Sequence, residues 1–263
     1  MKLAARVEGV GLVGPGLESW SAARPILAGT SPYEARPTVM PTPDVLPPTE
    51  RRRAGKCVRL SLAAGLAAAA DGQRSARDLV AIFTSSTGDG ENLHAICEAL
   101  ASDDRLISPT RFHNSVHNAP AGYWGIATGA MHSADCLAAY DASFAAGLIE
   151  ALGRIANQPA QPVLLIAYDT PYPEPLHSAR PVPDSFAVGL LLNAADSPHG
   201  IPITAQTVRE TPSSVIDRSL ESLRGSIPAA RALPLLIQLA RGKPGRVVLE
   251  YLDGLSLALE VRP

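Results

Sequence analysis

Residues 132–155 read HSADCLAAYDASFAAGLIEALGRI. The first nine place small and apolar side chains over a strand's length, and from Asp141 onward Phe144, Leu148, Leu152 and Ile155 recur at helical spacing. This predicts a buried strand feeding straight into a buried helix. Asp141 stands at the N-cap position, where its carboxylate would accept from the open N–H groups of the first turn and favour the positive end of the helix dipole. In many α/β enzymes that turn carries a nucleophile, because the same N–H groups and dipole stabilise a thiolate. Here a carboxylate occupies it.

Outward from this unit, the chain of 263 residues is 46% hydrophobic, enough to bury one large core, and a single domain is expected. A net charge of −2 and a pI near 6.3 give no broad basic surface, so nucleic acid is not the expected partner. The three cysteines, Cys57, Cys97 and Cys136, match neither a zinc site nor a disulfide framework, which fits a reducing, cytoplasmic setting. No metal or cofactor is implied. The first residues, MKLAARVEGVGLVGPG, are too interrupted for a signal peptide, and no apolar run approaches the roughly 20 residues of a membrane span.

In order, residues 3–13 read as a strand stopped by Gly14, Pro15 and Gly16, with a short helix over 17–27. A proline-rich passage covers 32–48. Residues 50–70 read as one helix, with Val58, Leu62 and Leu66 four apart. Arg51, Arg52 and Arg53 at its start form either a solvated face or a contact for an acidic partner. A strand over 79–85 leads through TGDG into a helix over 91–101; STGDGEN has the setting of a phosphate cradle but lacks the P-loop lysine, so ordinary turn chemistry is expected. His113 and His117 would share a face if helical, as a metal pair does, but no Glu accompanies them and Pro120 delays regular helix. The small residues around Tyr123 and Trp124 suit close packing, as in a core or an interface. A strand over 162–168, a second proline-rich loop, strands over 185–193 and 201–209, helices over 215–223 and 229–240 and a hairpin around Asp253-Gly254 complete the chain. Parallel strands with helical crossovers and an antiparallel edge predict an α/β fold, a mixed sheet with helices on both faces.

Several motifs together resemble the N-terminal half of the β-ketoacyl synthases, a family of thiolase-like fold: LPPTERRR at 46–53, IFTSSTGDG at 82–90, SPTRFHNSVHNAPAGYW at 108–124, DASFAAGLIEAL at 141–152, VLLIAYDTPYPEPL at 163–176 and FAVGLLL at 186–192. The likeness covers residues 1–195 well and 196–263 poorly, and it is nearest to the chain length factors that accompany catalytic ketosynthases in aryl-polyene and related polyketide pathways. In the catalytic family a Cys follows the strand and begins the buried helix. Alignment puts Asp141 at or beside that position, with Cys136 upstream inside the strand as a core residue. A carboxylate replaces a thiolate poorly, because exchanging a thioester for a mixed anhydride is uphill. The family's second half supplies two catalytic His, or His and Asn; His177 and His199 lack the surrounding motifs.

The resemblance therefore implies a chain with no catalytic residue that pairs with an active ketosynthase and shapes a tunnel for an acyl chain on an acyl carrier protein. The strand His132–Tyr140 would form the seam, with Phe112, Val116, Tyr123, Trp124 and Met131 lining the tunnel floor. Two alternatives remain open. One is a small acyltransferase or malonyl-thioester decarboxylase using Cys136, or Asp141 as general acid or base with His132 or His117 nearby. The other is a scaffold that docks an acidic carrier protein through Arg51, Arg52 and Arg53.

Overall fold

A computed structural model describes residues 2–263. In order, the elements are β1 (Lys2–Val13), α1 (Trp20–Ala28), α2 (Pro48–Arg53), α3 (Lys56–Asp71), β2 (Val80–Thr84), α4 (Gly90–Ala101), α5 (Pro109–Asn114), α6 (Ala119–Thr128), β3 (Ala134–Leu137), α7 (Ser143–Asn157), β4 (Val163–Asp169), α8 (Leu176–Ala179) and β5 (Phe186–Asn193). They continue with β6 (Ile201–Val208), α9 (Arg218–Ser226), α10 (Leu233–Arg241), β7 (Gly245–Leu252) and β8 (Leu255–Val261). The strands form one sheet in the order β3-β2-β4-β5-β1-β6-β8-β7. Only β3, β2 and β4 run parallel to one another; every other pairing is antiparallel.

Alternation along the strands divides the core in two. On β4, Val163, Leu165 and Ala167 face one apolar cluster while Leu164, Ile166 and Tyr168 face the other. The first cluster is closed by α1, α7 and α10, the second by α3 and α6. A strand buried on both faces has no polar alternation to show, which is why VLLIAYD is apolar nearly throughout. Helix α3 lies unusually close to the sheet centre. A Cβ on Gly11 would sit 2.0 Å from the Ala64 carbonyl oxygen, one on its register partner Gly189 2.4 Å from the same atom, and one on Gly9 2.2 Å from the Ala68 oxygen. Glycine is required there because the helix backbone occupies the side chain's place.

Several expectations are corrected. The single helix expected over 50–70 is two, because Ala54 and Gly55 leave helical geometry between α2 and α3. The strand expected to be buried over 132–140 is reduced to four residues at the sheet edge, half exposed, since only β2 pairs with it. Asp141 does not cap the helix that follows. It lies in a 3-10 turn over Tyr140–Ala142, and α7 starts two residues after it at Ser143, whose hydroxyl takes the Ala139 N–H at 3.0 Å and donates to the Tyr140 carbonyl at 2.7 Å. Cys136 is half-buried against the second cluster instead of deep in the core. The expected helix over 229–240 opens as a 3-10 turn at Pro228–Ala232, and α10 begins with Pro234 in its first turn.

Replacing Gly11 by Ala is expected to destabilise the fold by about 3 kcal/mol or more, because both neighbours of the new methyl are backbone and cannot turn aside. Chemical denaturation measures this; a loss below about 1 kcal/mol would mean α3 tolerates a larger separation from the sheet.

Candidate functional site

The carboxyl ends of β2, β3 and β4 and the turn from β3 into α7 converge on one corner of the sheet, the place where parallel α/β sheets carry their sites. Tyr140 is the pivot of that turn. Its backbone is left-handed, with φ of 51°, a region a bulky side chain avoids unless its surroundings impose it. Its ring projects outward, 61% exposed, with the Arg180 guanidinium 3.7 Å from the ring centroid. Such a stack is attractive through the ring's quadrupole.

Asp141, next in the chain, is held from two sides. Arg180 donates to Oδ1 and Arg231 to Oδ2, the latter at 3.0 Å. Arg231 also donates to Glu250 on β7; Glu250 accepts from Arg224 at 3.1 Å; Arg224 donates to Glu221 at 2.6 and 2.8 Å. The result is an alternating run Arg180-Asp141-Arg231-Glu250-Arg224-Glu221. It ties the far edge of the sheet and the segment after Ala195 to the β3–α7 turn. A carboxylate shared by two guanidinium groups has lone pairs on both oxygens committed to hydrogen bonds, which leaves it poorly placed to attack an electrophile.

Behind this lies Asp169, the last residue of β4, fully buried. It accepts from the Ser86 N–H at 2.8 Å, the Ser85 hydroxyl at 3.1 Å and the Ala229 N–H at 2.8 Å. Burial pushes its carboxyl up to about 7, against the downward pull of those hydrogen bonds and of Arg180. Tyr172 closes the corner, its hydroxyl accepting from Thr87 at 2.8 Å and Arg180 at 3.3 Å and meeting the Ser86 hydroxyl at 3.1 Å.

No thiol here is prepared for attack. Burial pushes the Cys136 thiol up to about 11. Burial, reinforced by the nearby Asp89 carboxylate, raises the Cys57 thiol further; its sulfur contacts the Gly88 carbonyl at 3.5 Å and the Thr170 hydroxyl at 3.6 Å. Cys97 is exposed on α4. A low-pKa thiolate needs a cation or a helix N-terminus beside the sulfur; Cys57 lies in the first turn of α3, but complete burial and the Asp89 carboxylate outweigh that position, and burial alone raises Cys136.

The remaining expected residues separate. Tyr123 and Trp124 belong to the chain's own core: the Tyr123 hydroxyl donates to Asn114 at 3.2 Å, and Trp124 packs edge-on to Phe83, centroids 6.2 Å apart. Phe112, Val116 and Met131 are exposed, Met131 by 91%. His132 is exposed and meets Gln161 at 3.1 Å. His113 and His117 do not share a helix, since α5 ends at Asn114; His113 lies edge-on to Tyr123 and His117 packs against Gly88. STGDGEN is a turn whose Asp89 caps α4 through the Asn92 N–H at 3.0 Å. Arg51 is bound to Asp44 and to the Leu46 carbonyl, and Arg53 pairs with Glu50 at 3.5 Å. Arg52 and Arg53 join Lys56, Arg59 and Arg111 along a cleft of about 380 Å³ that also holds Asp89 and Glu91. Sequence reasoning missed Arg180, Arg231, Glu250 and Asp169, and the strain at Tyr140. Arg180 and Arg231 lie 39 and 90 residues from Asp141, with no motif linking them.

Comparison with known proteins gives the family. The family described as "Beta-ketoacyl synthase, N-terminal domain" matches residues 23–235, and the chain belongs to it. Its fold is the thiolase-like ketosynthase fold. Among solved structures, the complex of a ketosynthase (ApeO) with its chain length factor (ApeC) from Xenorhabdus doucetiae matches at 25% identity over 98% of this chain and 99% of that one, with a TM-score of 0.74. The ishigamide ketosynthase/chain length factor matches at 14% identity over 99% of both chains, TM-score 0.70. A ketosynthase from module 6 of the bacillaene synthase of Bacillus subtilis matches at 15% over 85% of this chain but only 45% of that one, TM-score 0.58. No curated protein matches the chain in sequence.

The Asp169 carboxyl is neutral in the fold up to about pH 7 but ionises from about pH 4 when unfolded. Its contribution is therefore complete below pH 4 and declines as pH rises to 7, by on the order of 4 kcal/mol. In Asp169→Asn that decline is expected to vanish, although the variant starts lower because its amide nitrogen faces the Ala229 N–H. Denaturation midpoints across pH 4 to 7 check this; parallel profiles for wild type and variant would refute it.

Proposed function

We propose that this chain is a ketosynthase-like subunit with no nucleophile of its own, which pairs with a catalytic β-ketoacyl synthase as a chain length factor. The observation that carries the reading is the turn after β3. Where the catalytic family presents a cysteine, this chain has Tyr140, Asp141 and Ala142, and the Asp141 carboxylate is locked between Arg180 and Arg231. Three further points support it. The β3 edge has a free side for another strand. Large apolar side chains stand exposed between Leu93 and Tyr140, including Leu100, Leu106, Phe112, Val116, Ile126 and Met131. The ketosynthase of the Xenorhabdus complex is bound to a chain length factor.

In this reading the chain shapes the acyl tunnel at the shared seam, in an aryl-polyene or related polyketide pathway, and the substrate arrives on an acyl carrier protein. The exposed members of the expected tunnel set, Phe112, Val116 and Met131, meet the growing chain; Tyr123 and Trp124 act from behind by holding α6 against the sheet. The cationic cleft at Arg52, Arg53, Lys56, Arg59 and Arg111 favours a second role in docking the acidic carrier protein, without the Arg51 originally grouped with it. An acyltransferase or decarboxylase reading has less support, because both candidate residues are disarmed: Cys136 by burial and Asp141 by its two arginines.

Produced alone, the chain is expected to self-associate, and co-expression with its catalytic ketosynthase is expected to give a soluble heterodimer, read by size-exclusion chromatography with light scattering. A monodisperse lone monomer that ignores the ketosynthase would end the reading. Incubation with acyl thioesters should leave the mass of this subunit unchanged; a stable acyl adduct on it would show a nucleophile after all. Trimming Phe112, Val116 or Met131 to Ala should lengthen or redistribute the products of the pair by mass spectrometry, and identical products from all three would remove the gating role.

A further inference from the structure

Tyr140 is an unusual residue to leave in the open. A bulky side chain at φ 51° is disfavoured, and glycine, asparagine or aspartate would relieve the backbone. Yet two contacts hold it there, and the second is backed by a relay of further ones. Ser143 pins the turn from below, bonding both the Ala139 N–H and the Tyr140 carbonyl. Arg180 covers one face of the ring at 3.7 Å. Arg180 is itself fixed by Asp141 and by the Tyr172 hydroxyl. Asp141 is fixed in turn by Arg231, which Glu250 anchors. All this organisation ends in a ring that fills no pocket of this chain, since it remains 61% exposed.

From this we infer that Tyr140, backed by Arg180, is a preassembled anchor that inserts into an apolar pocket of the catalytic β-ketoacyl synthase where that partner meets the β3 edge. The inference rests on the partnership argued above and assigns its energetic centre. Tyrosine and arginine are the residue types that dominate interface hot spots, and they do so when already rigid, because little side-chain freedom is then lost on binding. The chemistry of the receiving pocket follows from what is already satisfied. The Arg180 charge is balanced within the run Arg180-Asp141-Arg231-Glu250-Arg224-Glu221, three cations against three anions, so the stack calls for an uncharged, apolar wall. Among the described residues nothing bonds the Tyr140 hydroxyl, so the pocket floor should offer one hydrogen-bond partner. Position agrees: Tyr140 follows the free edge strand directly, and the 91%-exposed Met131 precedes it, so the two flank the seam.

The strain gives a test that separates binding from folding. The chain is co-produced with the catalytic β-ketoacyl synthase of its own host, and the dissociation constant and the melting temperature of the lone subunit are measured for wild type, Tyr140→Gly, Tyr140→Asn and Tyr140→Phe. Glycine and asparagine accept the left-handed backbone, so those two should melt at or above the wild-type temperature and bind about 30-fold or more weakly. Phenylalanine keeps the ring and should bind within about tenfold of wild type, having lost one hydrogen bond. Binding of both Tyr140→Gly and Tyr140→Asn within about threefold of wild type would overturn the anchor while leaving the partnership intact. If the wild-type chain does not bind the synthase, the partnership falls, and the anchor with it.

Discussion

The carboxylate of Asp141, shared by Arg180 and Arg231, is the interaction on which the organisation of this chain turns. Its three participants come from three remote parts of the sequence: the turn after β3, the end of α8 and the 3-10 turn before α10. Besides it, the C-terminal segment is tied to the corner by apolar packing and by the Ala229 N–H on Asp169. With it, and with Glu250 continuing the run onto β7, the far edge of an eight-stranded sheet is registered against the opposite one. Ion pairs of this kind add little to net stability when partly exposed, as these are. Their value is in direction. A guanidinium that must serve two carboxylates in a fixed fork leaves few alternative arrangements.

In the proposed reading, the same pairing is why the corner does no chemistry of its own. A reactive turn needs a group whose charge is created or consumed in the reaction, and electrostatic preorganisation aimed at that change. At this corner both oxygens of the Asp141 carboxylate are taken by guanidinium groups, and the nearest thiol, Cys136, is pushed up to about 11 by burial. At the strand–helix junction of this chain, the residue held in left-handed backbone carries an exposed aromatic ring.

How much of this was legible in the sequence depends on range. Local rules found β4 and β5 as apolar runs, α7 from Phe144, Leu148, Leu152 and Ile155, and the closing hairpin from Asp253-Gly254, where Gly254 indeed has φ of 66°. The assignment of Asp141 to the family's nucleophile position came from the family resemblance and not from these local rules. What failed was whatever depended on a partner distant in sequence. Asp141 looked like a cap because a cap is the only local use for an aspartate at a helix start; its arginines lie 39 and 90 residues away. β3 looked buried because its residues are small and apolar, while its edge position is decided by where the crossovers place β2 and β4. The break between α2 and α3 was hidden because Ala54 is a good helix former and Gly55 alone costs a helix only about 1 kcal/mol.

The position of β1 carries a consequence for how the protein is made. β1 precedes the other seven strands of the sheet in the chain yet lies in its interior, and both its neighbours, β5 and β6, come from beyond Ser185. At about 5–20 residues per second, an apolar strand must therefore wait roughly ten seconds or more for either flank. Contacts of such long sequence separation also close slowly. Nascent chains of this protein thus spend much of their synthesis with both edges of β1 unpaired, so supply of the folded protein is set by protection during translation as well as by its final stability.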